Sequence, residues 1–323
     1  MEVVKITDIP GIKIGNAQDL EAGTGCTVII CEQGAAAGVD VRGGSPGTRE
    51  TDLLKPENQV DKVHGVFLAG GSAFGLDAAA GIMQFLEEKG IGFDTGVAKV
   101  PIVSGAILFD LICGDYRVRP DKAMGYQACV AAQEEEFSEG AVGAGTGATV
   151  GKFFGLEHAM KGGLGSYCIQ TGDLMVGAVV AVNCLGDVVD PATGGIIAGA
   201  YKENPFSFMS TEEGMIEYYS KMNDVFSGNT TIGAVITNAA LTKTQANKVA
   251  SMAHNGYART IRPSHTMFDG DTIFVLSAGK VEADISVVGL LAARVIGQAV
   301  VNAVKKAAPL FGFKAYGDVF KTV

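Results

Sequence analysis

The order of apolar and polar positions divides this chain into alternating strands and helices. Near the N-terminus "GCTVIICE" and "AAAGVDVRGG" each read as a strand, and "KVHGVFLAGG" as a third that ends in a glycine turn. Short runs of β-branched and small apolar residues between turn formers carry that signature. "SAFGLDAAAGIMQFLEEKG" has helical spacing, with Ser72 placed to cap its start and Lys89-Gly90 to close it. "PDKAMGYQACVAAQEEE" predicts a second helix, its acidic run Glu134 to Glu136 forming a solvated end. "SYCIQTGDLMVGAVVAVNCLGDVVD" predicts two strands joined at Thr171-Gly172-Asp173. The pattern then lapses. Residues 186–229 hold many turn formers and read as a long, exposed, mobile connection with one short helix, which is unusual inside an α/β domain.

Periodicity returns with the strand "TIGAVITNAAL". A helix follows in "TKTQANKVASMAHNG", capped by Thr242 or Thr244 and ended by Gly256, and then the strand "DGDTIFVLSAG". In the last helix, "ADISVVGLLAARVIGQAVVNAVKKAA", Arg294, Gln298, Asn302 and Lys305 make one narrow polar stripe. The remaining surface of such a helix must be covered. Helical layers outside packed sheets satisfy that demand.

Composition changes the picture mainly by exclusion. The chain has 323 residues, 47% of them hydrophobic, enough to bury a sizeable core. A net charge of −10 without a Lys/Arg block argues against nucleic acid and anionic membranes as partners. No apolar stretch reads as long enough to span a bilayer, roughly 20 residues. The start lacks the apolar core of an export signal, so a cytoplasmic location is expected. Six cysteines show no CxxC pair and read as core residues rather than disulfides. Four histidines show no HxH or HxxxH spacing, and no protein-ligated metal is expected.

The glycine loop "VGAGTGATVGKF" does not bind a nucleotide in any familiar way. A P-loop needs glycine six positions before its lysine and a hydroxyl after it, where this chain has Thr146 and Phe153. The GxGxxG spacing fails too, so no cofactor is expected. No GxSxG elbow is present. What remains is a hydroxyl activated in another way. The stretch "SGNTTIGAVITNAAL" offers one at Asn229-Thr230. It reads either as a turn entering a strand or as a bond the chain cuts in itself, which would give Thr230 a free α-amine to serve as base.

In order along the chain, "ITDIPGIKIGNAQD", "GCTVII", "AGVDVRGGSPGTRETDLL", "VHGVFLAGGSAFGLDAAAGIM", "VGAGTGATVGK", "MKGGLG" and "NTTIGAVITNA" resemble the motifs of the self-processing L-aminopeptidase/D-esterase family. That group includes β-peptidyl aminopeptidases and nylon-oligomer hydrolases. The resemblance implies a single four-layer αββα sandwich of the N-terminal-nucleophile type with different connectivity. It implies cleavage at Asn229-Thr230 into chains 1–229 and 230–323, a homo-oligomer of four or more subunits, and a small amide or short peptide as substrate. Thr230 would be the nucleophile and Lys152 the cation beside it. Asp269 and Asp271, two apart and so on one face of a strand, would orient Thr230. Asn183 and Tyr126 would donate to the oxyanion or the scissile carbonyl. The family's serine branch carries a serine nucleophile, and a serine and a glutamate at its paired-acid positions; Thr230, Asp269 and Asp271 stand there in this chain. Its carboxylate near the tyrosine is replaced by Ala123-Met124-Gly125, with Asp121 the nearest acid. Two alternatives share much of the pattern, a binding homologue that does not cleave itself and a threonine acyltransferase.

Overall fold

The computed structural model describes residues 1–134, 136–220 and 228–320. Its principal strands are β1 Lys13–Asp19, β2 Thr24–Val41, β3 Lys62–Ala69, β4 Val103–Ile107, β5 Gly163–Thr171, β6 Leu174–Asn183, β7 Thr230–Ala239 and β8 Thr272–Val281. The helices that cover them are α1 Ala78–Glu88, α2 Lys122–Ala131, α3 Thr211–Glu217, α4 Lys243–Thr260 and α5 Ile285–Lys306. The strands hydrogen-bond in the order β5-β6-β7-β8-β2-β3-β4, with β1 also on β2. The β7–β8 and β3–β4 pairs are parallel.

Side-chain alternation sorts this run of strands into two stacked sheets. On β6, Val176, Ala178, Val180 and Val182 face one core, while Val179 and Ala181 face another. On β7 and β8 the same split separates Val235, Ile273 and Val275 from Ile232, Ala234, Phe274 and Leu276. The first core lies under α4 and α5. The second is shared with Ile29 of β2, Val66 and Leu68 of β3 and Ala106 of β4. The opposite faces of those strands, through Val28, Ile30, Phe67 and Val103, form a third core with α1 and α2. Three cores between four layers make an αββα sandwich, as the sequence resemblance implies.

Several local expectations change. "GCTVIICE" and "AAAGVDVRGG" are not two strands but the single strand β2, with a register shift between Ile30 and Ala35. Before the shift β2 pairs with β1, and after it with β8, so one strand serves both sheets. Ser72 is not a helix cap. Its φ is +54°, and it opens a short 3-10 turn, Ser72–Asp77, ahead of α1. Thr242 does cap α4, sharing a reciprocal pair of bonds with Gln245. Gly256 does not end that helix but lies inside it.

The described part of residues 186–229 is not an exposed connection. Asp187–Val189 pairs with Ile196–Ala198 and with Ile261–Arg262, and Tyr201–Lys202 pairs with Ser207–Phe208. The buried carboxylate of Asp187 accepts from the amides of Ala200 and Thr211, tying this segment to the start of α3. Ser227 of the expected turn and Glu135 of the acidic run lie outside the described residues. Helix α5 also departs from expectation. Its 22 residues are long and apolar enough to cross a bilayer, yet most of that surface is buried inside the fold against α4, β5 and β6.

Gly256 is where α4 crosses α5. A Cβ there would come within 2.6 Å of the Ala293 carbonyl oxygen and 2.6 Å of Ile296 Cγ2. An alanine in a helix interior ordinarily gains about 1 kcal/mol over glycine. Here overpacking of about 1–3 kcal/mol outweighs that gain. Gly256→Ala is expected to lower the melting temperature, measured by calorimetry, rather than raise it.

Candidate active site

Strand β7 begins at Thr230, which is only 4% exposed and lies opposite Asn183 of β6 in the ladder. The threonine hydroxyl donates to the Asn229 carbonyl oxygen, the carbonyl of the peptide bond just before it. That oxygen also accepts from the Gly270 amide at 2.9 Å. The Asn229 amide, part of the preceding peptide unit, donates to the Phe268 carbonyl, so residue 229 is held against the 268–270 loop through both its amide and its carbonyl. Gly270 is required by space. A Cβ there would lie 2.7 Å from the Ser45 carbonyl oxygen and 2.8 Å from Thr230 Oγ1.

Asn183 joins this strand end to the lysine. Its Oδ1 accepts from the Thr149 amide at 2.9 Å and from Lys152 Nζ at 3.0 Å. Its Nδ2 donates to the Phe109 carbonyl at 3.0 Å and to the Gly228 carbonyl at 3.3 Å. Lys152 is brought in by the tight turn at Gly151, whose φ is +72°. Nζ donates to the carbonyls of Thr149 and Asn183 as well, and no carboxylate among the described residues pairs with it. Burial favours the neutral amine and holds the Lys152 pKa down to about 8, partly countered by Cys184 and Asp269 nearby.

The two aspartates converge on the same strand end, by a different route from the one expected. Both precede β8, so they do not share a strand face. Asp269 Oδ2 accepts from the Thr266 hydroxyl at 2.5 Å and its amide at 3.1 Å, while Oδ1 faces the Leu185 amide at 3.3 Å. Burial, and then repulsion from Asp271, push the Asp269 carboxyl above the usual range. Asp271 Oδ1 accepts from the Thr231 amide at 2.8 Å. Its Oδ2 accepts from both the amide and Nδ1 of His265, each at 2.9 Å.

Thus Asn229, Thr230, Lys152, Asn183, Asp269 and Asp271 form one cluster. Tyr126 does not join it. Its hydroxyl donates to Glu88 at 2.8 Å and its ring sits edge-on to Phe85, both on α1, in the outer helical layer. Four contributors escape a reading of the sequence: Thr149, Thr231, His265 and Gly270. Thr149 and Thr231 act through backbone amides, which leave no mark on residue type. Gly270 between two aspartates was the one available signal. His265 is isolated from the other histidines in sequence but sits in the left-handed region, φ +59°.

A four-layer sandwich that places a hydroxyl at the first residue of a central strand, backed by a buried lysine and two carboxylates, has the fold of the N-terminal-nucleophile hydrolases. The sequence profile of peptidase family S58 matches residues 4–316, and the chain belongs to that family. It is a hydrolase of peptide or amide bonds. An uncharacterized aminopeptidase of Mycobacterium tuberculosis is 41% identical over 348 residues, covering 98% of this chain and 97% of that protein. A 6-aminohexanoate-oligomer endohydrolase of Kocuria sp. is 33% identical, covering 92% of this chain and 85% of that protein. Among solved structures, the L-aminopeptidase D-Ala-esterase/amidase of Ochrobactrum anthropi superimposes with a TM-score of 0.70 at 18% identity, over 95% of this chain and 87% of that one. The last comparison concerns the fold.

The lowered pKa of Lys152 has a measurable sign. Below about pH 8 the lysine is protonated in both folded and unfolded chains, and its burial cost is fully felt. Between about 8 and the ordinary lysine value near 10.4 the unfolded chain binds the extra proton, so stability from this group rises with pH. Melting curves of the wild type and Lys152→Met at pH 7 and pH 9.5 are expected to show the wild type gaining relative to the variant at the higher pH.

Proposed function

We propose that this chain is a self-processing amide hydrolase whose nucleophile is Thr230, exposed by cleavage of Asn229-Thr230. The observation that carries the proposal is the geometry of that one peptide: its carbonyl oxygen accepts from the Gly270 amide and from the hydroxyl of the next residue. A threonine Oγ1 in this position can attack the carbonyl carbon behind it. The Gly270 amide then stands where negative charge develops on oxygen. Collapse of the intermediate breaks the C–N bond and moves the acyl group to Oγ1, the hydroxyl proton passing to the departing nitrogen, and water then hydrolyses the ester and restores the hydroxyl. The carboxylate of residue 229 and the amine of Thr230 are the new termini.

The cut also converts the surroundings into a substrate site. The new α-amine has a reference pKa of about 7.7–8.0, suited to a general base at neutral pH. It takes the hydroxyl proton as Oγ1 attacks a substrate carbonyl and gives it to the leaving amine. Asn183 Nδ2 keeps the Phe109 carbonyl as a partner, but its bond to Gly228 depends on the segment that leaves. That donor then becomes free for a substrate carbonyl. Lys152, fixed by Asn183 and Thr149, supplies positive potential near the reacting oxygen. In the uncut chain Thr230 is buried, so hydrolysis of other amides waits on self-cleavage. A small amide or short peptide fits this reading, in line with the oligomer hydrolases and aminopeptidases among the relatives.

Denaturing mass spectrometry of purified protein is expected to find fragments 1–229 and 230–323. Thr230→Ala should remain one chain and hydrolyse no amide. An intact wild-type chain that turns over an amide substrate would overturn the mechanism. Adding an acceptor amine should leave the rate of product release unchanged; acceleration would indicate acyl transfer instead.

A further inference from the structure

Behind Asp271, between β7 and α4, three aromatic rings meet. His254 and Tyr257 project from successive turns of α4, and His265 comes from the loop before Asp269. Ring centroids lie 4.8 Å apart for His254 and His265, 5.5 Å for His254 and Tyr257, and 6.2 Å for Tyr257 and His265. Each ring has one polar atom that is buried and without a hydrogen-bond partner among the described residues: His254 Nδ1, His265 Nε2 and the Tyr257 hydroxyl. Unpartnered buried polar atoms are uncommon, and three on mutually touching side chains call for a shared cause.

The hydrogen-bond roles of these atoms can be worked out. His254 Nε2 lies 2.9 Å from the Asp40 carbonyl, which can only accept, so Nε2 carries the proton. Burial holds the ring's pKa down to about 4, so it is neutral and Nδ1 is a bare acceptor. His265 Nδ1 faces the Asp271 carboxylate and must donate, which leaves Nε2 as the atom without a partner, an acceptor when bare and a donor when it carries a proton. Burial keeps the Tyr257 hydroxyl protonated, a donor. A water molecule complements all three: it donates to His254 Nδ1, accepts from the Tyr257 hydroxyl, and can meet His265 Nε2 in either role. Space is made for the hydroxyl by Gly233 of β7, where a Cβ would lie 2.7 Å from it.

We infer that His254, Tyr257 and His265 form an internal binding site for one water molecule, and that this hub makes His265 a positioning residue for Asp271 and the start of β7. The water locks the His265 ring in the orientation that presents Nδ1–H to Asp271. Asp271 in turn holds the Thr231 amide, next to the bond to be cut. The effect on cleavage rests on the proposed function above; the water site itself does not.

Two measurements test this. A crystal structure of the full-length Thr230→Ala chain at atomic resolution is expected to show a water within hydrogen-bond distance of all three atoms, and a dry junction overturns the inference. Melting and self-cleavage are then compared for Tyr257→Phe, His265→Asn and His265→Gly. Asparagine keeps a donor near Nδ1 and tolerates positive φ, whereas glycine keeps the backbone alone. Tyr257→Phe is expected to lower the melting temperature by about 3 °C and to slow cleavage about ten-fold. His265→Gly should cleave about ten-fold slower than wild type, and His265→Asn at a rate between the two. A raised or unchanged melting temperature for Tyr257→Phe means an idle hydroxyl and overturns the hub. In a chain that is cut, equal rates for the asparagine and glycine variants overturn the positioning role. A wild type that is never cut defeats the proposed function and the positioning role with it, while the crystal and melting results still decide the water site.

Discussion

The bond from the Thr231 amide to Asp271 fixes where β7 begins, and the rest of the site is arranged around that boundary. One residue earlier the chain is no longer paired as a strand on both sides. Asn229 instead makes a single bridge to Asp269. The backbone from Gly228 to Thr231 is gripped by groups from sequence-distant segments: Asn183 of β6 on the Gly228 carbonyl, Gly270 on the Asn229 carbonyl and Asp271 on the Thr231 amide. Because β7 runs between β6 and β8 at the centre of its sheet, its first residue cannot shift without breaking two ladders at once. That rigidity holds a peptide carbonyl and the hydroxyl of the next residue in contact.

The charges near this boundary are buried in an unusual way. Among the described residues Lys152 is met by carbonyl and amide oxygens rather than by a carboxylate. Lys161 is treated alike, held by the carbonyls of Gly145 and Ala148, and burial lowers its pKa to about 8 as well. Dipoles offset part of the desolvation cost without neutralising the charge. A lysine held so gives up its proton more readily than a surface lysine, and while charged it acts on its neighbours with little screening. Asp269 and Asp271 show the converse arrangement. They sit close enough to repel, and each is stabilised by amides, hydroxyl or imidazole donors. The potential at Thr230 is therefore set by fixed groups rather than by solvent.

Much of this was legible in the sequence because β6, β7 and α5 carry dense, regular apolar patterns. Those patterns survive folding, since each such element is buried on most of its surface. Glycine was legible only as a punctuation mark, and that is where reading failed. Gly256 looked like a helix end because a missing side chain can signal either a terminus or a close crossing. Ser72 looked like a cap because its backbone conformation is invisible in a string of letters. Residues 186–229 read as a long exposed connection with one short helix because the strands in their described part are two or three residues long, too short for alternation to show. The candidate site residues came from a family resemblance, which named Lys152, Asn183, Asp269 and Asp271, four side chains that the fold brings to one end of β7. It misplaced Tyr126, which belongs to a helix pair far from the cluster in the layering. It was silent on His265, whose partner is another side chain of the site.

The strand shared by both sheets bears on what a cut at residue 229 would do to the molecule as a whole. Strands β7 and β8 are wedged between β6 and β2, and α4 and α5 cover the same sheet. All of these except β6 and β2 lie after the cut. The C-terminal piece is thus not a lobe hinged on the rest but the middle of the fabric, woven in on both edges and clasped from above. Severing one thread at its border leaves the weave intact. The two pieces would behave as a single folding unit, unable to exchange partners with another copy without complete unravelling.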